Sequence, residues 1–396
     1  MSGHVFIIHG DLTKLACDTW LMPCGRYFAP RSWWRLRVPD WKPPGTQLDS
    51  DQPRVSDAGD WPRDLPKPWL VHQGGRRDGS TPIAWYVEGV RQFLRIAAPA
   101  AANDRFVKKR AKPLIGIPVV GTGRGGAGHK AGDIVKELLP ELYQAVESYD
   151  CDIALVTFNR VAYTAAIRAR ADYNLDHSVW PNELDERLRE DANRLAEEAK
   201  AGKLVLFLGA GVSAGANLPM WNDLLTQLAR ESGVSAELLK EGGAFSQMNA
   251  LDRARILDQR LEKCGMAIGA EVVAALKKHK CHALAHSLLA ALPVAEVVTT
   301  NYDSLFEQAS ESVDIPVAVL PYHSTAEHKR WLLKMHGCVE RPKDIVLTRS
   351  DYIRYDARRA ALRGIVQAML ITRQSKEEKA TDAWKLVEKL LKELGG

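Results

Sequence analysis

Short apolar runs that end on small or polar residues recur along this chain. In the first half they are Val5 to Ile8, Trp20 to Met22, Leu114 to Val120 and Ile153 to Phe158. In the second half they are Leu204 to Leu208, Val294 to Val298 and a run starting at Leu332. Runs of this length without alternation read as strands buried on both faces of a parallel sheet. The stretches between them have helical spacing. Asp133 to Ser148 is one such stretch. Another starts at Pro181-Asn182, repeats Leu184, Leu188, Leu195 and Ala199, and stops at Gly202. Met220 to Leu292 is rich in Leu, Ala, Glu and Lys and reads as a set of helices, and helices are also expected over Ser304 to Ser310 and Arg358 to Ile371. A last amphipathic helix runs to Leu394, with Ser375 and Glu378 as a capping box, Gly395 as a stop, and Trp384, Val387, Leu391 and Leu394 as its stripe. Strands alternating with helices predict an α/β protein. The expected divisions are 1–175, 181–373 and 374–396.

Phe28 to Gly75 departs from this alternation. It is rich in proline and holds Trp33, Trp34, Trp41, Trp61 and Trp69 among Arg31, Arg35 and Arg37. Prolines at this density oppose helix and central strand. A packed surface loop or an oligomer contact is the expectation, although aromatic and guanidinium groups together can also stack a nucleobase.

Composition narrows the class. The chain has 396 residues, 46% of them apolar, which suffices for two or three ordinary cores. Its formal charge is +5, from 54 basic and 49 acidic residues. That excess suits an anionic small ligand and gives no reason to expect nucleic acid. No apolar run approaches a membrane span and the N-terminus has no signal-peptide pattern, so a cytoplasmic protein is expected. The six cysteines, Cys17, Cys24, Cys151, Cys264, Cys281 and Cys338, form no C-x-x-C pair. A four-thiolate zinc site is therefore not expected, and free thiols fit a reducing compartment. His282 and His286 are four apart, a spacing that can bind metal, but no nearby carboxylate completes a site and no metal is expected.

Candidate chemistry sits at three strand ends. Leu204 to Leu208 leads into Gly209, Ala210, Gly211, Ser213 and then Pro219 and Trp221. Small residues there let a diphosphate approach the backbone. Val294 to Val298 leads into Thr299-Thr300-Asn301-Tyr302-Asp303, which taken alone reads as a helix cap. Leu332 leads into Lys334-Met335-His336-Gly337. A histidine can take a proton from a hydroxyl or a water near neutral pH.

In this order the three strings resemble the catalytic core of the sirtuin family, a Rossmann-type parallel sheet that breaks the nicotinamide–ribose bond of NAD. The resemblance implies that Gly209, Ala210, Gly211, Ser213, Pro219, Trp221 and Thr299 bind the cofactor. It implies that Asn301 orients the ribose and a water, that Asp303 meets the carboxamide, and that His336 is the base. The helix-rich segment 220–292 stands where protein-deacylating sirtuins carry a zinc module. The family's last strand is missing from the sequence, so either the core is shortened or the final helix covers the sheet edge.

The first half resembles a macro domain more loosely. His9-Gly10-Asp11-Leu12-Thr13 stands where that family places an adenine-contacting Asp, and the loop of Gly121, Gly123, Gly125 and Gly126 stands at its phosphate loop. Met22-Pro23-Cys24-Gly25 replaces the family's Asn-rich stretch, so ADP-ribosyl hydrolysis is not expected. Together the halves resemble bacterial anti-phage effectors. The expectation is an NAD hydrolase, with NAD as substrate and an ADP-ribose-like ligand on the first half. A homo-oligomer and a phage-derived or protein activator are also expected. The alternatives are an NAD-dependent protein deacylase, and a sensor or scaffold that binds such nucleotides without turnover.

Overall fold

The computed structural model describes residues 3–25, 27–28, 30, 38, 40–44, 54–74, 81–121, 130–176, 186–240 and 242–372. The first half contains β1 (Val5–His9), β2 (Thr19–Cys24), β3 (Val55–Asp57), β4 (Lys67–His72), α1 (Ile83–Asn103), β5 (Leu114–Pro118), α2 (Ala131–Ser148), β6 (Asp152–Thr157) and α3 (Arg160–Asp176). Its described strands form one sheet in the order β1-β6-β5-β2-β4-β3, parallel except for β3 against β4. Strand pleating divides the side chains. Val5, Ile7, Ile115, Ile117, Ile153 and Leu155 meet α1 and α2 on one face, while Ile8, Trp20, Met22, Leu114, Ala154 and Val156 join a second core.

Segment 28–75 corrects an expectation, because β4 lies inside the sheet between β2 and β3 despite Pro68. The reason is local. Antiparallel β3 pairs with Trp69, Leu70 and Val71, so Pro68 lies just outside that pairing. Trp41 is buried and donates to the Ala58 carbonyl at 2.9 Å, with Trp61 edge-on to it. Trp33 and Trp34 lie outside the described residues, as do Gly123, Gly125 and Gly126 and the final helix.

The second half begins with α4 (Glu186–Lys200), β7 (Val205–Leu208) and α5 (Ala210–Ala214). Its helical segment comprises α6 (Trp221–Glu231), α7 (Ala236–Leu239), α8 (Ala244–Gln247), α9 (Ala250–Lys263), α10 (Ile268–Leu276) and α11 (Leu284–Ala291). Then come β8 (Glu296–Thr299), α12 (Leu305–Ser312), β9 (Val317–Leu320), β10 (Arg330–Lys334), α13 (Arg349–Ile353) and α14 (Tyr355–Thr372). The described strands form a parallel sheet in the order β7-β8-β10-β9. Ala199, Ala290, Phe306 and Ala309 cover one face, and Leu362 and Met369 of α14 cover the other. At the edge of this sheet, β7 is only half-buried rather than enclosed on both faces, and Phe207 is 48% exposed.

The two halves are packed together. The second core of the first sheet continues into Leu224, Leu225, Leu257 and Leu284 of the helical segment. The main chains also pair, since Ala16 N–H donates to His282 O and His282 N–H to Lys14 O, each at 2.8 Å. Ion pairs Lys14–Glu311 at 3.0 Å and Lys280–Asp64 at 2.7 Å flank this contact.

Candidate functional site

The C-terminal ends of β7, β8 and β10 point to one place, as parallel register demands. There a cavity of about 360 Å³ is lined by Ala210, Ser213, Pro219, Trp221, Asn301, Asp303, His336 and Tyr352, among others. Seven candidates from three separate strings therefore share one cavity. A larger cavity of about 870 Å³ between the two halves holds none of the candidate residues.

Asn301 has a fixed amide. Its Nδ2 donates to Gly209 O at 3.0 Å and to Ser213 Oγ at 3.2 Å. A carbonyl only accepts, so the amide orientation follows from chemistry, and Oδ1 is left for a ligand or water. Thr299 does not line the cavity. It is buried, its hydroxyl donates to Leu208 O at 2.9 Å and accepts from Asn301 N at 3.0 Å, and it joins the ends of β7 and β8 beneath the turn. Asp303 combines both readings of its string. Oδ1 accepts from Leu305 N at 3.1 Å at the start of α12, while Oδ2 accepts from Ser213 Oγ at 2.9 Å.

His336 follows β10. It is buried, with the rings of Tyr352 and Tyr355 edge-on at 5.4 and 6.3 Å. Burial, and then the Arg359 guanidinium, hold its pKa down from 6.5 to about 4. The ring is therefore neutral at pH 7 and can accept a proton. Gly337 is required beside it: its φ is +92°, and a Cβ there would meet Asp344 O at 2.4 Å. Val346 N–H donates to His336 O at 2.9 Å, and Tyr302 Oη donates to Val346 O at 2.8 Å.

Two supports were not legible in the motifs. Lys334 is buried, pairs with Glu307 at 2.7 Å and donates to the carbonyl of Asp303, tying β10 to the Asn301 turn. Burial pushes the Glu307 carboxyl up, against the lowering effect of Lys334. The other is His286, whose Nε2 lies 3.3 Å from Ser213 Oγ. His282 lies before α11 rather than on it, and both histidines are buried. Among the described residues no group of three or more His, Cys, Asp or Glu is placed to hold a metal ion, and no helix is long and apolar enough to cross a membrane.

Gly209 and Gly211 do not line the cavity. A Cβ at either would meet nothing within 4 Å. Gly211→Val should therefore leave the melting temperature within about 2 °C, yet weaken NAD binding at least ~10-fold if the diphosphate lies there. Calorimetry checks this, and unchanged affinity would remove Gly211 from the phosphate path.

In the first half, Asp11 starts the 3-10 helix Leu12–Lys14, with Oδ1 accepting from Thr13 N at 2.9 Å and from Thr13 Oγ1 at 2.7 Å. Gly121 has φ +76°, and a Cβ there would meet the Tyr86 ring at 2.9 Å.

Residues 295–375 match the family model of the SIR2-like domain. The C-terminal region carries a SIR2-like domain. Over 168 residues the chain is 29% identical to the NAD(+) hydrolase ThsA of Bacillus cereus (strain MSX-D12), a match covering 40% of this chain and 33% of that relative. Over 195 residues it is 27% identical to the defense-associated sirtuin 2 of Bacillus subtilis, covering 48% of this chain and 19% of that relative. The match thus spans about a third or less of the length of these relatives. Solved macrodomains align with part of the chain. The Oceanobacillus iheyensis macrodomain with ADP aligns at 16% identity and a TM-score of 0.32, over 43% of this chain and 92% of that one. The Trypanosoma brucei macrodomain in complex with ADP-ribose aligns at 14% and 0.30, over 42% and 69%. Of the residues that line the cavity, Asn301, Asp303 and His336 lie within the matched residues 295–375.

Proposed function

We propose that the protein is an NAD hydrolase, releasing nicotinamide and ADP-ribose, and that it acts as a regulated effector of anti-phage defence. The observation that carries this reading is the meeting of Asn301, Asp303, Ser213 and His336 in one cavity. The bond between ribose C1′ and the nicotinamide nitrogen breaks, and its electron pair stays with the nitrogen. A cationic pyridinium thus leaves as neutral nicotinamide, and no acid is needed for its departure. Water adds its oxygen to C1′. Asn301 Oδ1 accepts a hydrogen bond from that water and orients it. Neutral His336 takes the proton, from the water or through a ribose hydroxyl. Asp303 and Ser213 hold the Asn301 turn in place beside the carboxamide. The reading extends to a cytoplasmic homo-oligomer.

We also propose that an ADP-ribose-like nucleotide binds the first half at Asp11 and the loop from Gly121 to Gly126, and raises NAD cleavage. The Asp11 side chain starts the 3-10 helix whose last residue, Lys14, accepts from His282. A ~100-fold activation needs only about 2.7 kcal/mol of differential binding, an ordinary coupling. Added ADP-ribose should increase the initial rate of nicotinamide release, and Asp11→Ala should remove that increase while leaving the basal rate. An Asp11→Ala variant that is activated as fully as the unaltered protein would exclude this residue from the regulatory site.

A further inference from the structure

Beneath the cavity, outside its lining, lies His286. Its surroundings determine which ring nitrogen carries the proton. Ala283 N–H donates to His286 Nδ1 at 3.1 Å, so Nδ1 is bare. Burial holds the ring's pKa down to about 4, against the raising effect of Asp303. The neutral ring then has its proton on Nε2, facing Ser213 Oγ at 3.3 Å.

This tautomer fixes everything above it. Ser213 Oγ has one proton and two lone pairs. It accepts from His286 Nε2–H and from Asn301 Nδ2–H, and it donates to Asp303 Oδ2. One hydroxyl orientation satisfies all three partners. A group at position 286 that demanded the hydroxyl proton would take it from Asp303, leaving two acceptor oxygens 2.9 Å apart. Ser213 would then lose its hold on Asp303, and with it the hydroxyl orientation in which it accepts from Asn301.

We propose that His286 is a positioning residue, which acts through Ser213 to set the Asn301 amide and the Asp303 carboxylate for cleavage. This rests on the NAD-cleaving reading of the same cavity. The turn that carries the Ala283 donor is also the one paired with Lys14 and Ala16 of the first half. The positioning chain thus begins where the two halves meet.

The test uses the full chain and three substitutions, singly and combined. His286→Gln keeps an N–H donor for Ser213, whereas His286→Leu keeps volume and removes it. His286→Leu should lower kcat about 30-fold with KM within about threefold, and His286→Gln should restore kcat to within about fivefold of the unaltered protein. Ser213→Ala should lose as much as His286→Leu, and adding His286→Leu to it should cost less than a further threefold, as groups acting in one chain do. Equal kcat for the Gln and Leu variants, or full additivity with Ser213→Ala, would overturn the proposal. If His286→Leu does not fold, Ser213→Ala with His286→Gln decides: a loss from His286→Gln that multiplies the Ser213→Ala loss contradicts it. Nitrogen NMR of the His286 ring gives a readout independent of turnover. A proton on Nδ1 would overturn the assignment even in an active protein. An Nε2 proton in a protein that releases no nicotinamide would instead retain the hydrogen-bond chain, refute its role in cleavage and sink the NAD reading.

Discussion

Asn301→Ala is expected to lower nicotinamide release about 100- to 1,000-fold while costing only about 1–2 kcal/mol of stability. The two effects separate because the side chain has two kinds of partner. Its Nδ2 holds Gly209 O, which is exposed and able to bond water after the change, and Ser213 Oγ, which is buried but keeps its bonds to Asp303 and His286. Its Oδ1 is the group proposed to orient the water. A variant that unfolds instead would return the Asn301 turn to a capping role. Nicotinamide release at saturating NAD, beside a thermal melt, distinguishes the two.

The second large effect is expected at His336. His336→Ala should reduce kcat about 100- to 10,000-fold, the usual range for a lost general base. The pH dependence gives a sharper check. An ordinary histidine base would lose activity as pH falls through 6.5. The folded-state pKa of His336 is lowered to about 4, so its basic form persists well below that. Activity should stay level down to about pH 5. Stability has its own dependence. His336 and His286 both titrate near 6.5 when unfolded and near 4 when folded. Between those values the unfolded chain binds protons that the native protein refuses. Stability present above pH 6.5 is therefore lost as pH falls toward 4. Acid inactivation should coincide with unfolding, and an activity midpoint of 6.5 in a still-folded protein would contradict this placement of His336.

The sequence made the strand ends legible because a buried parallel strand is a continuous apolar run and its polar end stands out. The resemblance to the sirtuin family, and not the pattern alone, grouped Ser213, Asn301, Asp303 and His336 before any geometry was available, and they meet in one cavity. β7 misled for the same reason. The apolar run Leu204 to Leu208 read as an enclosed strand, but enclosure depends on neighbours, and Phe207 lies at the sheet edge. β4 misled in the opposite sense. The proline density of Phe28 to Gly75 argued against an interior strand, but Pro68 lies one residue outside the pairing with β3. Helix α1, with Pro99 inside it, carried no motif and was not anticipated. His286 was visible only as half of a possible metal pair. Its partners lie 73 residues away at Ser213 and on the backbone of Ala283, which no spacing rule connects. The pairing of Lys14 and Ala16 with His282 was equally hidden, since neither segment has a pattern of its own.

The central claim is that this cavity cleaves NAD. Purified full-length chain incubated with NAD alone, and with added ADP-ribose, tests it most directly, with nicotinamide and ADP-ribose measured over time. Equal amounts of both products are expected, formed without any acylated peptide and lost in His336→Ala. No nicotinamide under either condition, full turnover in His336→Ala, or release that requires an acyl-peptide would contradict it.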